Sequence, residues 1–375
     1  MPQLTTVTPA ARAAFAALLG ALGAFACNHT EPFVSPPNDT DQPFDPSPPI
    51  QLTINAGADR APTWLPDGSG ILYAAHQIAR SDLDLCLALL PPTGGRQREL
   101  WCDVPGGRDL TDAIESAAPA PDGRLGFVAA SSSIRGNVPS LMTIALAPIL
   151  DPTKGQTVRT LPYTPVGGEP QRRIGQLHWL GENRLVYLGL TVEIRSPCQR
   201  CELDTISTGL AATVFDASQP GSIPTVIPGT ELASSVTPAG GDAVLYTLGG
   251  DTRIFRRVLT TGEVTTVHDF GAAGITRDVH AVGNRVVAVV GGRVAFAIDP
   301  LLGPAQRDSG GVVHVVDLDS GIDLALEDVA RLYRRPALSP AGDQIVVEGY
   351  PLIITPGSPD TTVGKSPDLY LFGAP

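Results

Sequence analysis

The segment 61-APTWLPDGSGILYAA-75 places a tryptophan before a Pro-Asp-Gly turn and follows the turn with an apolar run. Pro presets the backbone for the first turn position, Asp bonds back to the chain, and Gly accepts the left-handed conformation. The segment reads as two strands joined by a tight turn. One such hairpin is ordinary, so the fold depends on whether it recurs. Related segments stand at 119-PAPDGRLGFVAA-130, 178-HWLGENRLVYLGL-190, 235-SVTPAGGDAVLYTL-248, 280-HAVGNRVVAVV-290 and 337-ALSPAGDQIVVEGY-350. Their turns fall near Pro66, Pro121, Gly181, Pro238, Gly283 and Pro340, about 45 to 60 residues apart.

A second turn interleaves with the first. The first five units continue into another apolar segment and a Gly-ending turn: 90-LPPTGG-95, 151-DPTKG-155, 216-DASQPG-221, 259-LTTG-262 and 317-DLDSG-321. A further strand-like run follows each, so every unit is a four-stranded antiparallel meander. One such sheet cannot bury both apolar faces. Packing neighbours face to face around an axis solves this, and a repeat near 50 residues with four strands means a propeller. The sixth unit has runs at 335–339, 344–348 and 369-LYLF-372 but no fourth strand. The orphan run 50-IQLTIN-55 is expected to supply it and lock the ring. The expectation is an all-β, six-bladed propeller over residues 50–375. A β-sandwich with similar turns is the alternative, and six phased copies with complementary ends disfavour it.

The motif Pro62-x-Trp64-x-Pro66-Asp67-Gly68, followed by Ile71-Leu72-Tyr73, resembles the TolB-type, WD40-like propeller repeat. The resemblance covers most of residues 50–375. It is strongest in units 1, 2 and 6 and weakest in 3 and 5, whose turns are shorter. Propellers of this type also cap prolyl-oligopeptidase-type hydrolases, which need a separate α/β domain with a G-x-S-x-G elbow. No such elbow is present.

The N-terminal region points to export. In 12-RAAFAALLGALGAFAC-27 one Arg precedes about 14 apolar residues, too few to span a bilayer but suited to a signal-peptide core. Ala24-Phe25-Ala26 is an A-x-A cleavage site. With Cys27 it also resembles a bacterial lipobox, although Ala24 stands where Leu is usual and Phe25 is bulky. The expectation is a signal peptide over 1–26, lipid attachment at Cys27, and a disordered Pro-rich tether over 27–49. Ordinary cleavage to a soluble protein is the alternative. Cysteine parity agrees with lipidation: of five cysteines, removing Cys27 leaves four, enough for two bridges. The expected address is the cell envelope, at the outer membrane or periplasmic face, with membrane contact through the anchor only.

Cys86 and Cys102 lie equidistant from Gly94, so a simple hairpin sets them opposite one another for a cross-strand disulfide. Cys198 and Cys201 form a C-x-x-C in 196-SPCQRCEL-203 and read as a local structural disulfide. A redox pair lacks a following helix, and a metal site lacks two further ligands. Arg307-Asp308-Ser309-Gly310-Gly311 imitates a protease nucleophile segment but lacks the leading Gly and reads as a flexible loop. Gly364-Lys365-Ser366 imitates a P-loop but has Pro359 at the glycine position. Asp317-x-Asp319-Ser320-Gly321-x-Asp323 coincides with a repeat turn and lacks calcium-loop spacing. The five histidines after the tether, His76, His178, His268, His280 and His314, show no shared spacing at this reading. No metal or cofactor is expected.

A net charge of -12 argues against nucleic acid, which needs a basic face. Long connections between second and third strands, at about 190–208, 299–311 and 350–367, are where function concentrates. On the same side, near the first strands, stand Asp59, Arg60, Arg173, Arg277, Asp278 and Arg335, with Arg108, Asp109, Glu169, Arg172 and Arg334 nearby. Mixed charge at a channel mouth reads either as ordinary solvated loop charge or as a site for a peptide or carboxylate ligand. The favoured function is a non-enzymatic, monomeric module that binds an envelope protein or peptide. The alternative is an enzyme at the channel mouth, such as a carbohydrate-active lyase or hydrolase, which needs two or three convergent carboxylates.

Overall fold

The computed structural model describes residues 49–54, 57–76, 85–101, 110–133, 139–162, 171–195, 204–219, 222–291, 294–296, 306–308, 310–354, 361–363 and 366–374. The expected signal peptide, Cys27 and nearly all of the tether lie outside them, as do Cys102, Cys198 and Cys201. The chain from residue 50 forms a six-bladed β-propeller of four-stranded antiparallel blades. The six inner strands are Asp59–Trp64, Leu110–Pro119, Gln171–Leu180, Ala233–Pro238, Thr276–Val282 and Arg331–Leu338. Blades 1 and 2 are also joined by one parallel register point, Leu85 to Ala113.

The turns form for the reasons the sequence suggests. After the inner strands, Gly68, Gly123, Gly181, Gly240, Gly283 and Gly342 all take positive φ. In the first turn the Asp67 carboxylate accepts from Ser69 N at 3.0 Å and Ser69 Oγ at 2.7 Å. The acidic turn at 317–321 is closed in the same way, with Asp317 Oδ1 accepting from Asp319 N, Ser320 N and Ser320 Oγ. Gly155 departs from the pattern: its φ is -58°, because Pro152–Lys154 makes a short 3-10 turn instead.

Packing between blades supplies the core. Each of six apolar clusters sits between two neighbouring blades. Ile71, Tyr73 and Ala88 of blade 1 meet Ala337, Val346 and Leu369 of blade 6. Leu72 and Leu87 meet Leu125 and Phe127 of blade 2, and the other four interfaces repeat the scheme. Full burial of one such Leu or Ile is worth roughly 1.5–3 kcal/mol, so the ring is held by many modest, equivalent contributions. Three arginines at the same place in their repeats, just after the first turn, reach into the next blade's turn. Arg124 donates to Glu182 O, Arg184 pairs with Asp242 at 2.7 Å, and Arg285 donates to Gly342 O at 2.8 Å.

The segment read as a flexible protease-like loop is otherwise. Gln306–Asp308 is a strand, and Gly310–Gly311 lies against its neighbours. Gly311 N donates to Tyr333 O at 3.0 Å, and a Cβ on Gly311 would stand 2.3 Å from Val290 O. Gly is required there by close backbone approach.

At the chain's start, the strand is shorter than read. Only Ile50–Gln51 pairs, with Leu371 and Tyr370. Leu52 N then donates to Leu369 O at 2.8 Å, and Leu369 N donates to Thr53 Oγ1 at 2.9 Å. Deleting 50–54 should therefore expose the edge of the last blade, lower the melting temperature and promote aggregation. Deleting 28–45 should leave the melt unchanged. Equal tolerance of both deletions in thermal unfolding and light scattering would contradict a closing role for this segment.

Candidate functional site

An inner strand has a blade neighbour on one side only. Its other edge faces the channel, and those backbone groups need partners. Side chains of adjacent blades provide them. Trp64 Nε1 donates to Ala337 O at 3.0 Å, and Trp179 Nε1 to Ala118 O at 2.7 Å. Ser116 Oγ accepts from Leu177 N at 3.1 Å, and Ser235 Oγ from Val279 N at 3.0 Å. Gln176 Oε1 accepts from Val236 N at 3.1 Å, and His280 Nδ1 from Leu338 N at 3.2 Å. These bonds leave a cavity of about 60 Å³ in the channel, lined by all six blades, among them Ala61, Ser116, Gln176, His178, Ser235, Asp278, His280 and Arg335.

The two histidines come together across this cavity, with ring centroids 5.8 Å apart. Both line the cavity and are partly buried. Burial pushes His178 down to about 3, helped by the neighbouring His280, and burial alone pushes His280 down to about 4. The sequence did carry a signal for the pair: each stands three residues before its turn glycine, Gly181 or Gly283. Two further histidines, His268 on the outer strand of blade 4 and His314 on the third strand of blade 5, flank Asp323. His314 Nδ1 lies 2.9 Å from Asp323 Oδ1, and His268 Nε2 lies 3.6 Å from Asp323 Oδ2.

The residues chosen for mixed charge divide into two groups. Asp59 and Asp278 are buried rather than displayed, at 0% and 2% exposure, and Arg277 is also buried. Asp278 accepts from Arg335 N at 3.0 Å and from Arg334 Nε and Gln176 Nε2 at 3.4 Å each. Arg335 turns to Glu348, which sequence reading missed because it falls within a uniform apolar run. Glu348 is buried and accepts from Ala61 N at 2.6 Å, Tyr350 Oη at 2.8 Å and Arg335 at 3.3 Å. Arg173 pairs with Leu190 in the inner sheet of blade 3. Among the described residues no three His, Cys, Asp or Glu side chains converge as metal ligands.

The three long connections are more regular than loops. Blade 3 continues as a paired ribbon, Glu193 with Ile206 and Arg195 with Asp204. Val294–Phe296 pairs with Gln306–Asp308 in blade 5, and Thr361–Val363 pairs back onto the second strand of blade 6. Alternating β-branched residues, as in 190-LTVEIR-195, suit extended pairing. Blade 4, by contrast, turns tightly through Gly249 and Gly250.

No protein-family model and no curated protein matches the chain by sequence. Similar solved structures exist at low identity. A gluconolactonase from Xanthomonas campestris is 13% identical, with 87% of this chain and 89% of that one covered and a TM-score of 0.54. A luciferin-regenerating enzyme is 11% identical, with 87% and 96% covered and a TM-score of 0.51. TolB from Acinetobacter baumannii is 14% identical, with 85% and 64% covered and a TM-score of 0.44. At such identities the likeness speaks to fold alone.

The histidine pair makes a pH prediction. Unfolded histidine titrates near 6.5, and both folded values are lower. Stability from the neutral rings is fully present above about pH 6.5 and is lost as pH falls from there toward 4 and 3. Thermal melts between pH 7 and 4.5 should show this decline, and His178→Gln should flatten it. An unchanged slope in that variant would remove the pair as its cause.

Proposed function

We propose that this protein is an exported, non-enzymatic binding module that presents one propeller face to a protein or peptide partner. The observation that carries the reading is the asymmetry of the two faces. One face has compact turns whose sequences are accounted for by turn geometry. The other has β-ribbons in blades 3, 5 and 6 around the channel mouth. Rigid ribbons lower the ordering cost of binding. The channel supports the same reading. Its cavity of about 60 Å³ is far below the several hundred Å³ of a typical small-molecule site. Its acids, Asp278 and Glu348, are each engaged by arginine, whereas acid–base catalysis needs carboxylates free to exchange protons.

Anchoring through Cys27 and a tether to residue 49 would hold this face at the envelope. Two disulfides complete the proposal. Leu87 pairs with Trp101 and Cys86 is buried; a hairpin continuing in that register would bring Cys86 opposite Cys102. A Cys198–Cys201 bridge would staple the tip of the blade 3 ribbon.

Two outcomes test this. Cys27→Ser should move the protein from the membrane fraction to the soluble fraction, since stable attachment needs more than one acyl chain. Unchanged partition in that variant ends the lipoprotein reading. For the binding face, replacing 196–203 and 355–360 with tight turns should abolish crosslinking to partners in the native envelope while leaving the melt nearly unchanged. Substitution of exposed turn residues such as Asp122 should affect neither. Full crosslinking by the trimmed variant would exclude the ribbon face.

A further inference from the structure

Among the described residues, three of the four non-glycine positions at positive φ line one cavity. Ala61, Gln176 and Arg335 hold φ of 50°, 50° and 46°. All three sit within the β-bulges of their inner strands. The cavity they line carries spare donors. His280 accepts from Leu338 N at Nδ1, and a neutral imidazole that accepts at Nδ1 carries its proton on Nε2. That Nε2–H meets no acceptor among the described residues. Arg335 has five N–H donors, and its guanidinium makes one bond among the described residues, to Glu348 at 3.3 Å. The Gln176 amide nitrogen makes only long bonds, 3.3 Å to Ser234 O and 3.4 Å to Asp278.

The acceptors nearby are already committed. Asp278 and Glu348 each receive three donors. In the neighbouring inner strand, Arg60 Nε is buried without a partner. Arg335 and His280 therefore line the cavity with donor capacity that no acceptor among the described residues takes up.

We propose that the channel cavity binds a single carboxylate group, held by Arg335, His280 Nε2–H and Gln176. About 60 Å³ is far below the several hundred Å³ of a typical small-molecule site, so it suits the head group of a ligand rather than a whole one. The carboxylate belongs either to the C-terminus of a peptide partner or to a free small organic acid. The first source rests on the binding-module reading above; the second does not.

The test is an NMR titration of the full chain, labelled with ¹⁵N-histidine, by sodium acetate against sodium chloride at equal ionic strength. The imidazole signals of His280 and His178 should shift saturably with a dissociation constant in the millimolar range, the reach of so small a ligand. Arg335→Gln should weaken binding about tenfold, the worth of one charge-assisted bond. Gln176→Gly, which suits the positive-φ backbone, should weaken it several-fold if Arg335→Gln does not fold. Arg253→Gln, at a distant turn, should change nothing. Tighter binding of Gly-Gly-Ala than of acetate, lost in its C-terminal amide, assigns the site to a peptide C-terminus. Binding of acetate but not the tripeptide assigns it to a small acid. No saturable shift with either probe, equal binding of the amide, or undiminished affinity in both variants overturns the proposal. None of these results bears on crosslinking at the ribbon face, so the two readings fail separately.

Discussion

The structure depends on how the inner edges of its blades are satisfied. Six strands face a common channel, and none pairs with another through a full ladder. Buried backbone N–H and C=O groups left there would each cost about 1–3 kcal/mol. The solution is lateral. Trp64, Trp179, Ser116, Ser235, Gln176 and His280 each bond to the backbone of an adjacent inner strand. Between blades 1 and 2 the single point Leu85–Ala113 joins the sheets. Ring geometry and polar satisfaction are thus one problem, and the apolar clusters between blades act on a scaffold already set in angle by these bonds.

The same constraint shapes the channel's chemistry. Groups recruited to cap edge amides are polar, and the ring brings them into one small space. His178 and His280 belong to different blades, yet meet at 5.8 Å. Asp278 and Glu348 are buried, which is costly unless paired. Arg334 and Arg335 pair them, and Tyr350 and Ala61 N complete Glu348. A charged mouth read as a displayed binding surface is therefore partly an internal network, with its outward capacity left in unmatched donors.

Propeller likeness leaves activity open. The similar solved structures include a gluconolactonase and a luciferin-regenerating enzyme, and a shared fold does not transfer chemistry. Two local features bear on this chain: a narrow channel whose carboxylates are paired with arginine, and, among the described residues, ribbons that extend blades 3, 5 and 6. Those features belong to this sequence rather than to the architecture, and they carry the proposed function.

The repeat itself was legible. Turn glycines at fixed places, such as Gly68, Gly123 and Gly342, announce left-handed backbone, and a turn is a local event that neighbouring residues decide. Six phased turns therefore determined blade number and strand order. The ribbon of blade 3 was half legible, because its β-branched residues suit strand pairing yet carry no marker of where pairing stops. Other features were decided only in three dimensions. Glu348 looks like an ordinary strand residue, and the shared spacing of His178 and His280 from their turn glycines gains meaning only once the inner strands are known to face one channel. Gly310 and Gly311 resemble a flexible loop until Val290 and Tyr333 arrive from other strands. Sequence fixes what a few adjacent residues can settle through backbone sterics. Only closure of the ring determines which distant side chains share a cavity, and hence which charges pair and which donors remain unmatched.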